Sequence, residues 1–195
     1  MNLFLFLFLL LLLPLSLTTA QCVPNPLQTT LDIPRPFSIS VHNTSYPTIH
    51  NRRLQFWKAG GGDNHLYLSP AGDSITNHTL VSGVITNREW WWNNVVIRAV
   101  INGEYTPKDN TTKIFMTQRG DPRAYFDAVE GCNPDTGMPQ VFLRLRGGRV
   151  CVRPASGGRW EFRYSGWGNR LGVDAGCVHV ELGLVFGEAE EEGKE

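Results

Sequence analysis

The sequence predicts an all-β fold: a closed antiparallel sheet system, built as a barrel, a trefoil-like domain or a sandwich, and stapled by two disulfides. Three observations predict it. Short apolar runs with a two-residue period recur from Phe37 to Phe186, broken by glycine and asparagine turns. No stretch sustains a 3.6-residue apolar period between helix caps. Four cysteines, Cys22, Cys132, Cys151 and Cys177, all follow an apolar leader, and an even number in an exported chain implies paired bridges.

The leader runs from Leu3 to Leu13 as unbroken Leu and Phe, then Pro14 and the small or polar Ser16, Thr18, Thr19 and Ala20. Such a run is too short for a bilayer core, which needs about 20 residues. Thr18 and Ala20 stand at −3 and −1 to a cut before Gln21, so residues 1–20 read as a signal peptide. Residues 21–36, with Pro24, Pro26, Pro34 and Pro36, read as an extended lead-in. A single β domain is expected over 37–187. Five glutamates against Lys194 make 188–195 an acidic tail expected to be disordered. No second apolar run reaches spanning length, so no membrane span is expected.

The whole chain balances 18 basic against 18 acidic residues; setting the tail aside leaves 17 and 13, net +4. That mild excess favours acidic polysaccharide and gives no basis for nucleic acid.

Phe37, Ile39 and Val41 alternate with Ser38, Ser40 and His42, as in a half-buried strand. Leu54 to Trp57 and His65 to Leu68 flank the loop Gly60-Gly61-Gly62-Asp63-Asn64. Val95 to Ile101 is β-branched and reads as a central strand, ended by the turn signal Asn102-Gly103. Lys113 to Thr117 and Ala124 to Val129 follow. Val141 to Leu145 and Arg149 to Arg153 bracket Arg146-Gly147-Gly148, which predicts a hairpin, and Trp160 to Tyr164 is the next strand. Val178, Val180, Leu182, Leu184 and Phe186 alternate in the longest run, with His179 and Glu181 on the opposite face. On this spacing about nine to twelve strands are expected.

Four cysteines allow three pairings; Cys151–Cys177 with Cys22–Cys132 is favoured, because the first pair would join two strand segments near the C-terminus. No two cysteines have the short spacing of metal ligands, so no metal site is expected among them. Three sequons at Asn43, Asn77 and Asn110 predict surface positions open to glycosylation.

Trp90-Trp91-Trp92, followed by Asn93 and Asn94, is the most unusual local feature. Exposed indoles stack on apolar sugar faces, and amides bond sugar hydroxyls. The competing reading makes two of the three core residues. Trp57, Trp160 and Trp167 are weighed the same way, and Trp167, in a Gly-rich turn, is expected to be the exposed one. His42, His50, His65, His78 and His179 form no metal signature. Asp63, Asp73, Asp121, Asp127, Glu130 and Asp135 offer carboxylates for glycoside hydrolysis only if two stand at the required separation. No nucleophile elbow or phosphate loop appears, so no catalytic residue and no cofactor is assigned.

The C-terminal half orders a hairpin ending in Cys151, a Trp-containing strand from Arg159 to Tyr164, a Gly/Asn loop and the closing Gly176-Cys177-Val178-His179-Val180. With the opening Pro36-Phe37-Ser38-Ile39-Ser40-Val41, this order resembles the small secreted cell-wall proteins of filamentous fungi typified by the phialide cell-wall protein (PhiA-like). The resemblance implies a wall-associated, non-enzymatic protein and carries over no functional residues. The expected function is therefore a secreted, wall-associated structural protein. The alternatives are a carbohydrate-binding or effector-like module using Trp90, Trp91, Trp92, Asn93 and Trp167, and a small secreted hydrolase.

Overall fold

The computed structural model describes residues 22–24, 28–89, 95–120, 122–170 and 176–187. The signal peptide, the Trp90–Trp92 triplet with Asn93 and Asn94, and the acidic tail lie outside the described residues. The first strands are β1 (Thr29–Thr30), β2 (Ile33–His42), β3 (Leu54–Gly60), β4 (Asp63–Leu68), β5 (Asp73–Ser74) and β6 (His78–Val81). Next come β7 (Val84–Glu89), β8 (Val95–Val100), β9 (Tyr105–Thr106), β10 (Thr111–Lys113), β11 (Phe115–Thr117) and β12 (Phe126–Cys132). The last are β13 (Pro139–Leu145), β14 (Gly148–Ala155), β15 (Arg159–Gly166), β16 (Val178–His179) and β17 (Glu181–Phe186). The one helical turn among the described residues is the 3-10 segment Ser156–Gly158.

All described pairings are antiparallel. Asp63 and Asn64, expected in a loop, belong to β4, and only Gly61 and Gly62 form the turn, both with positive φ (63° and 86°). Two consecutive positive-φ residues are what a tight hairpin turn needs. β8 pairs with both β7 and β11, as expected of a central strand. Within the extended lead-in expected over 21–36, Thr29 and Thr30 pair with Val129 and Ala128 of β12, and β2 begins at Ile33, so the sheet starts before Phe37. Pro34 and Pro36 have no N–H to donate, and the β2–β6 register shifts between Ile33 and Phe37, where they stand.

The expected hairpin over Arg146-Gly147-Gly148 is also corrected. Its two strands exist, yet they do not pair with each other. β13 pairs with β12 and, at Phe142↔Gly183 and Leu143↔Leu182, with β17. β14 pairs with β15 and, at Cys151↔His179 and Val152↔Val178, with β16. The alternating C-terminal run is inserted where the hairpin ladder was expected. It also breaks at Val180, changing partner from β14 to β13, and the sheet is not closed. The barrel expectation is therefore corrected to an open antiparallel sheet system.

The core gathers Phe37, Ile39 and Val41 of β2, Phe56, Leu66 and Leu68 of β3 and β4, Ile97 and Met116, Phe126, Val152, Phe162, and Val178 to Leu184 at alternate positions. β2 is buried on both faces rather than half-buried: Ser38, Ser40 and His42 are each at most 8% exposed. The segment after β2 folds back over that polar face, where Arg53 donates to Ser38 Oγ and Ser40 bridges Arg53. The bridges are Cys22–Cys132, with Cα atoms 5.8 Å apart, and Cys151–Cys177, 5.6 Å apart.

A charged cluster sits beside this core. Glu161 of β15 takes hydrogen bonds from Arg153 and from Arg163 Nη1 (3.2 Å), and meets Lys113 Nζ at 3.1 Å. Arg163 is fully buried and also donates to Thr111 Oγ1, the Thr111 and Glu104 carbonyls and Thr106 Oγ1. Burial acts to raise the Glu161 pKa, but the hydrogen bond from Lys113 and the charges of Lys113, Arg153 and Arg163 outweigh it and hold it below the ordinary value.

Candidate functional site

Strands β12, β13, β14 and the C-terminal run border a cleft of about 400 Å³. Alternation explains its lining. Arg144 is exposed between buried Leu143 and Leu145, and Glu181 between buried Val180 and Leu182. Glu130, Arg149 and His179 add further polar groups, while Val129 and Phe142 supply apolar surface.

Trp167 follows β15 in a turn ended by Gly168 (φ +91°) and is 60% exposed, the most open of the described tryptophans. The Arg149 guanidinium lies 5.2 Å from its ring centroid, within cation–π range. Although His179 is an exposed residue, desolvation by the surrounding strands, then the Arg149 charge, lower its pKa against the opposing pull of Glu181. The Cys22–Cys132 bridge fastens the N-terminal segment to the end of β12 and brings Pro24 to the rim. The site thus combines an open indole with donors and acceptors of both charges, a combination suited to a polyhydroxylated ligand.

The other aromatics are placed differently. Trp57 is 43% exposed, but Arg159 lies 4.7 Å from its centroid and 5.1 Å from that of Tyr67. Trp160 packs half-buried against the core. Among the carboxylates, Asp127 receives Arg146 Nε at 2.9 Å and Asp63 receives Thr117 Oγ1 at 2.7 Å. Asp121 lies outside the described residues.

Asp135 joins a cluster that spacing alone did not reveal: ligand atoms of His42, His50 and Asp135 lie within 4.8 Å of one another. The donor set is chemically suited to a transition metal, but the hydrogen bonds argue otherwise. His50 Nδ1 accepts the Asn43 N–H at 3.0 Å, so in the neutral ring Nε2 carries the proton and gives it to Asp135 Oδ1 at 2.9 Å. A metal on Nε2 would leave that ring with no N–H at all. Asn51 Nδ2 donates to the second Asp135 oxygen at 2.8 Å. The cluster works as a clasp between the segment after β2 and the β12–β13 turn. The bonds from His50 and Asn51 hold the Asp135 pKa below the usual carboxylate value, while burial and then His50 lower that of His42.

Of the sequon asparagines, Asn77 and Asn110 are exposed. Asn43 is half-buried, and its Nδ2 donates to the His179 carbonyl at 2.7 Å. Sequence reasoning missed Arg149 and Arg144 because single arginines on strands look like any solvated face; only the fold sets Arg149 beside Trp167 and Arg144 in the same cleft.

No curated protein and no solved structure matches the chain. One family does match, over residues 22–187, from the first cysteine to the end of the last strand. The chain belongs to that family, which is described as a domain of unknown function (DUF7909).

Proposed function

We propose that the protein is exported and that the mature chain is a wall-associated, non-enzymatic component that holds polysaccharide along the Trp167 cleft. The carrying observation is the 60% exposed indole beside Arg149 at the edge of a cleft that mixes polar and apolar groups. Export is supported by the leader and by two disulfides, which form and persist in oxidising compartments. Among the described residues no helix is long and apolar enough to cross a membrane. The likeness to PhiA-like wall proteins rests on the sequence order of Cys151, the Trp160 strand and Cys177-Val178; the hairpin that stood first in that order is not formed in the fold.

The test is retention of purified mature protein on chitin, β-glucan and acidic polysaccharide. Trp167→Ala is expected to weaken retention at least tenfold, equivalent to about 1.4 kcal/mol, with an unchanged melting temperature because the ring is mostly in solvent. Equal retention of wild type and variant sinks the assignment of the cleft. Recovery of the native protein solely from the medium, never from washed walls, sinks the wall association.

A further inference from the structure

A second cavity, of about 360 Å³, opens between β3, β4, β5 and β7. Its size falls near the lower end of the range for ligand sites, about 300–1,000 Å³. Its inner surface is neutral: Phe56, Asn64 and Asn87 border it and are 2%, 4% and 4% exposed. Its charged lining groups, Lys58, Asp73 and Arg88, belong to exposed residues at the mouth.

The second observation is independent of that shape. Asn87 Nδ2 is buried and meets no acceptor. Directly across the ladder from Asn87 stands His78, fully buried, with neither ring nitrogen bonded. Buried polar groups are nearly always satisfied, so an orphan donor at the wall of a cavity points to an acceptor that arrives from outside.

From these two observations we propose that the cavity seats one pyranose ring, with a ring hydroxyl or acetamido oxygen accepting from Asn87. A neutral, polyhydroxylated ligand fits the amide-lined interior. An anionic one would bring charge to an inner wall that holds no cation. Asp73 at the mouth accepts from outward hydroxyls, and the apolar sugar face lies toward Phe56 and Ile75. Asn77 borders the same cavity and heads a sequon, so the ring comes either from free saccharide or from a sugar attached at Asn77.

The experiment uses amide NMR on two preparations of the mature protein, one unglycosylated from a bacterial periplasm and one from a glycosylating host. The probe is N-acetylglucosamine. In the unglycosylated protein it is expected to shift the Asn64 and Asn87 side-chain amides. Asn87→Val is expected to bind at least tenfold more weakly without a lower melting temperature, since no hydrogen bond is lost. Should that variant unfold, Asp73→Ala at the exposed mouth must weaken binding by a similar factor. If the glycosylated protein refuses the probe and its Asn77 sugar contacts the Asn87 amide, the attached glycan is the occupant; if it still binds the probe, free saccharide is. No amide shift in either preparation, with only ordered water at Asn87, overturns the proposal. The Trp167 cleft stands or falls separately, because its variant leaves these residues intact.

Discussion

His78 shows how much one residue governs the pH response. Burial among Phe37 and Phe56 pushes its pKa from 6.5 down to about 3. Between those values the unfolded chain binds a proton that the folded chain refuses. Stability is therefore complete above pH 6.5 and declines as the pH falls toward 3, by about 1.4 kcal/mol per pH unit. His78→Leu is expected to remove this slope in denaturant titrations at successive pH values; an unchanged slope would show that the ring is solvated. Glu161 acts in the same direction at lower pH. Its folded pKa lies below the unfolded one, so its contribution is present above the ordinary carboxylate range and vanishes as the pH falls through the folded value. Glu161→Gln leaves fully buried Arg163 without its carboxylate, and a loss of about 3–5 kcal/mol is expected in chemical denaturation at pH 7. A loss below 1 kcal/mol would mean that Asp109 and the threonines suffice for the cluster.

At the scale of elements, the Cys151–Cys177 bridge spans 26 residues, including β15 and Trp167. It fixes β14 at the point where β16 enters beside it. Chain-entropy bookkeeping assigns such a loop about 3.5 kcal/mol. Replacing both cysteines with serine is expected to lower the melting temperature by about 10 °C. Retention on polysaccharide should fall as well, because the turn that presents Trp167 is no longer tethered; unaltered melting would contradict this role. Strand positions were legible in the sequence where a long run alternates, as at Val178, Val180, Leu182 and Leu184 against His179 and Glu181, whereas the short β6 and β7 were not read. Pairing was less legible. Arg146-Gly147-Gly148 carries every local signal of a hairpin, yet a run more than thirty residues later takes both ladders, and local turn chemistry contains no record of that competitor. β2 misled for a related reason: Ser38, Ser40 and His42 look solvent-facing until the segment after them folds back and buries them. The indole of Trp167 was readable from its Gly-rich surroundings, whereas Asn64 reads as a loop residue and Asn87 carries no signal until two hairpins enclose them.

For the molecule as a whole, the decisive contacts are those between its two ends. β17 lies along β2 in six consecutive pairs, from His42↔Glu181 to Phe37↔Phe186, while its other edge and that of β16 meet β13 and β14. The last strands thus join segments that are otherwise separated by most of the chain, and until they are in place β2, β13 and β14 each present an unpaired edge. Exposed edges of apolar strands are templates for association, and pairing over such sequence distances is slow because the loop must close before its contacts form. Truncation after Gly176 removes Cys177 and both final strands together. The truncated chain is expected to aggregate on refolding from denaturant, while the full-length oxidised protein refolds to a single species over milliseconds to seconds. A second truncation, after Val180, separates bridge from sheet: it keeps Cys177 and β16 but removes β17, and is expected to aggregate likewise, because β2 then lacks the ladder that buries Ile39 and Val41. Soluble, cooperatively melting protein from the second truncation would show that β2 is held by β6 and the segment folded over it, and that β17 is a covering strand rather than the one that completes the fold.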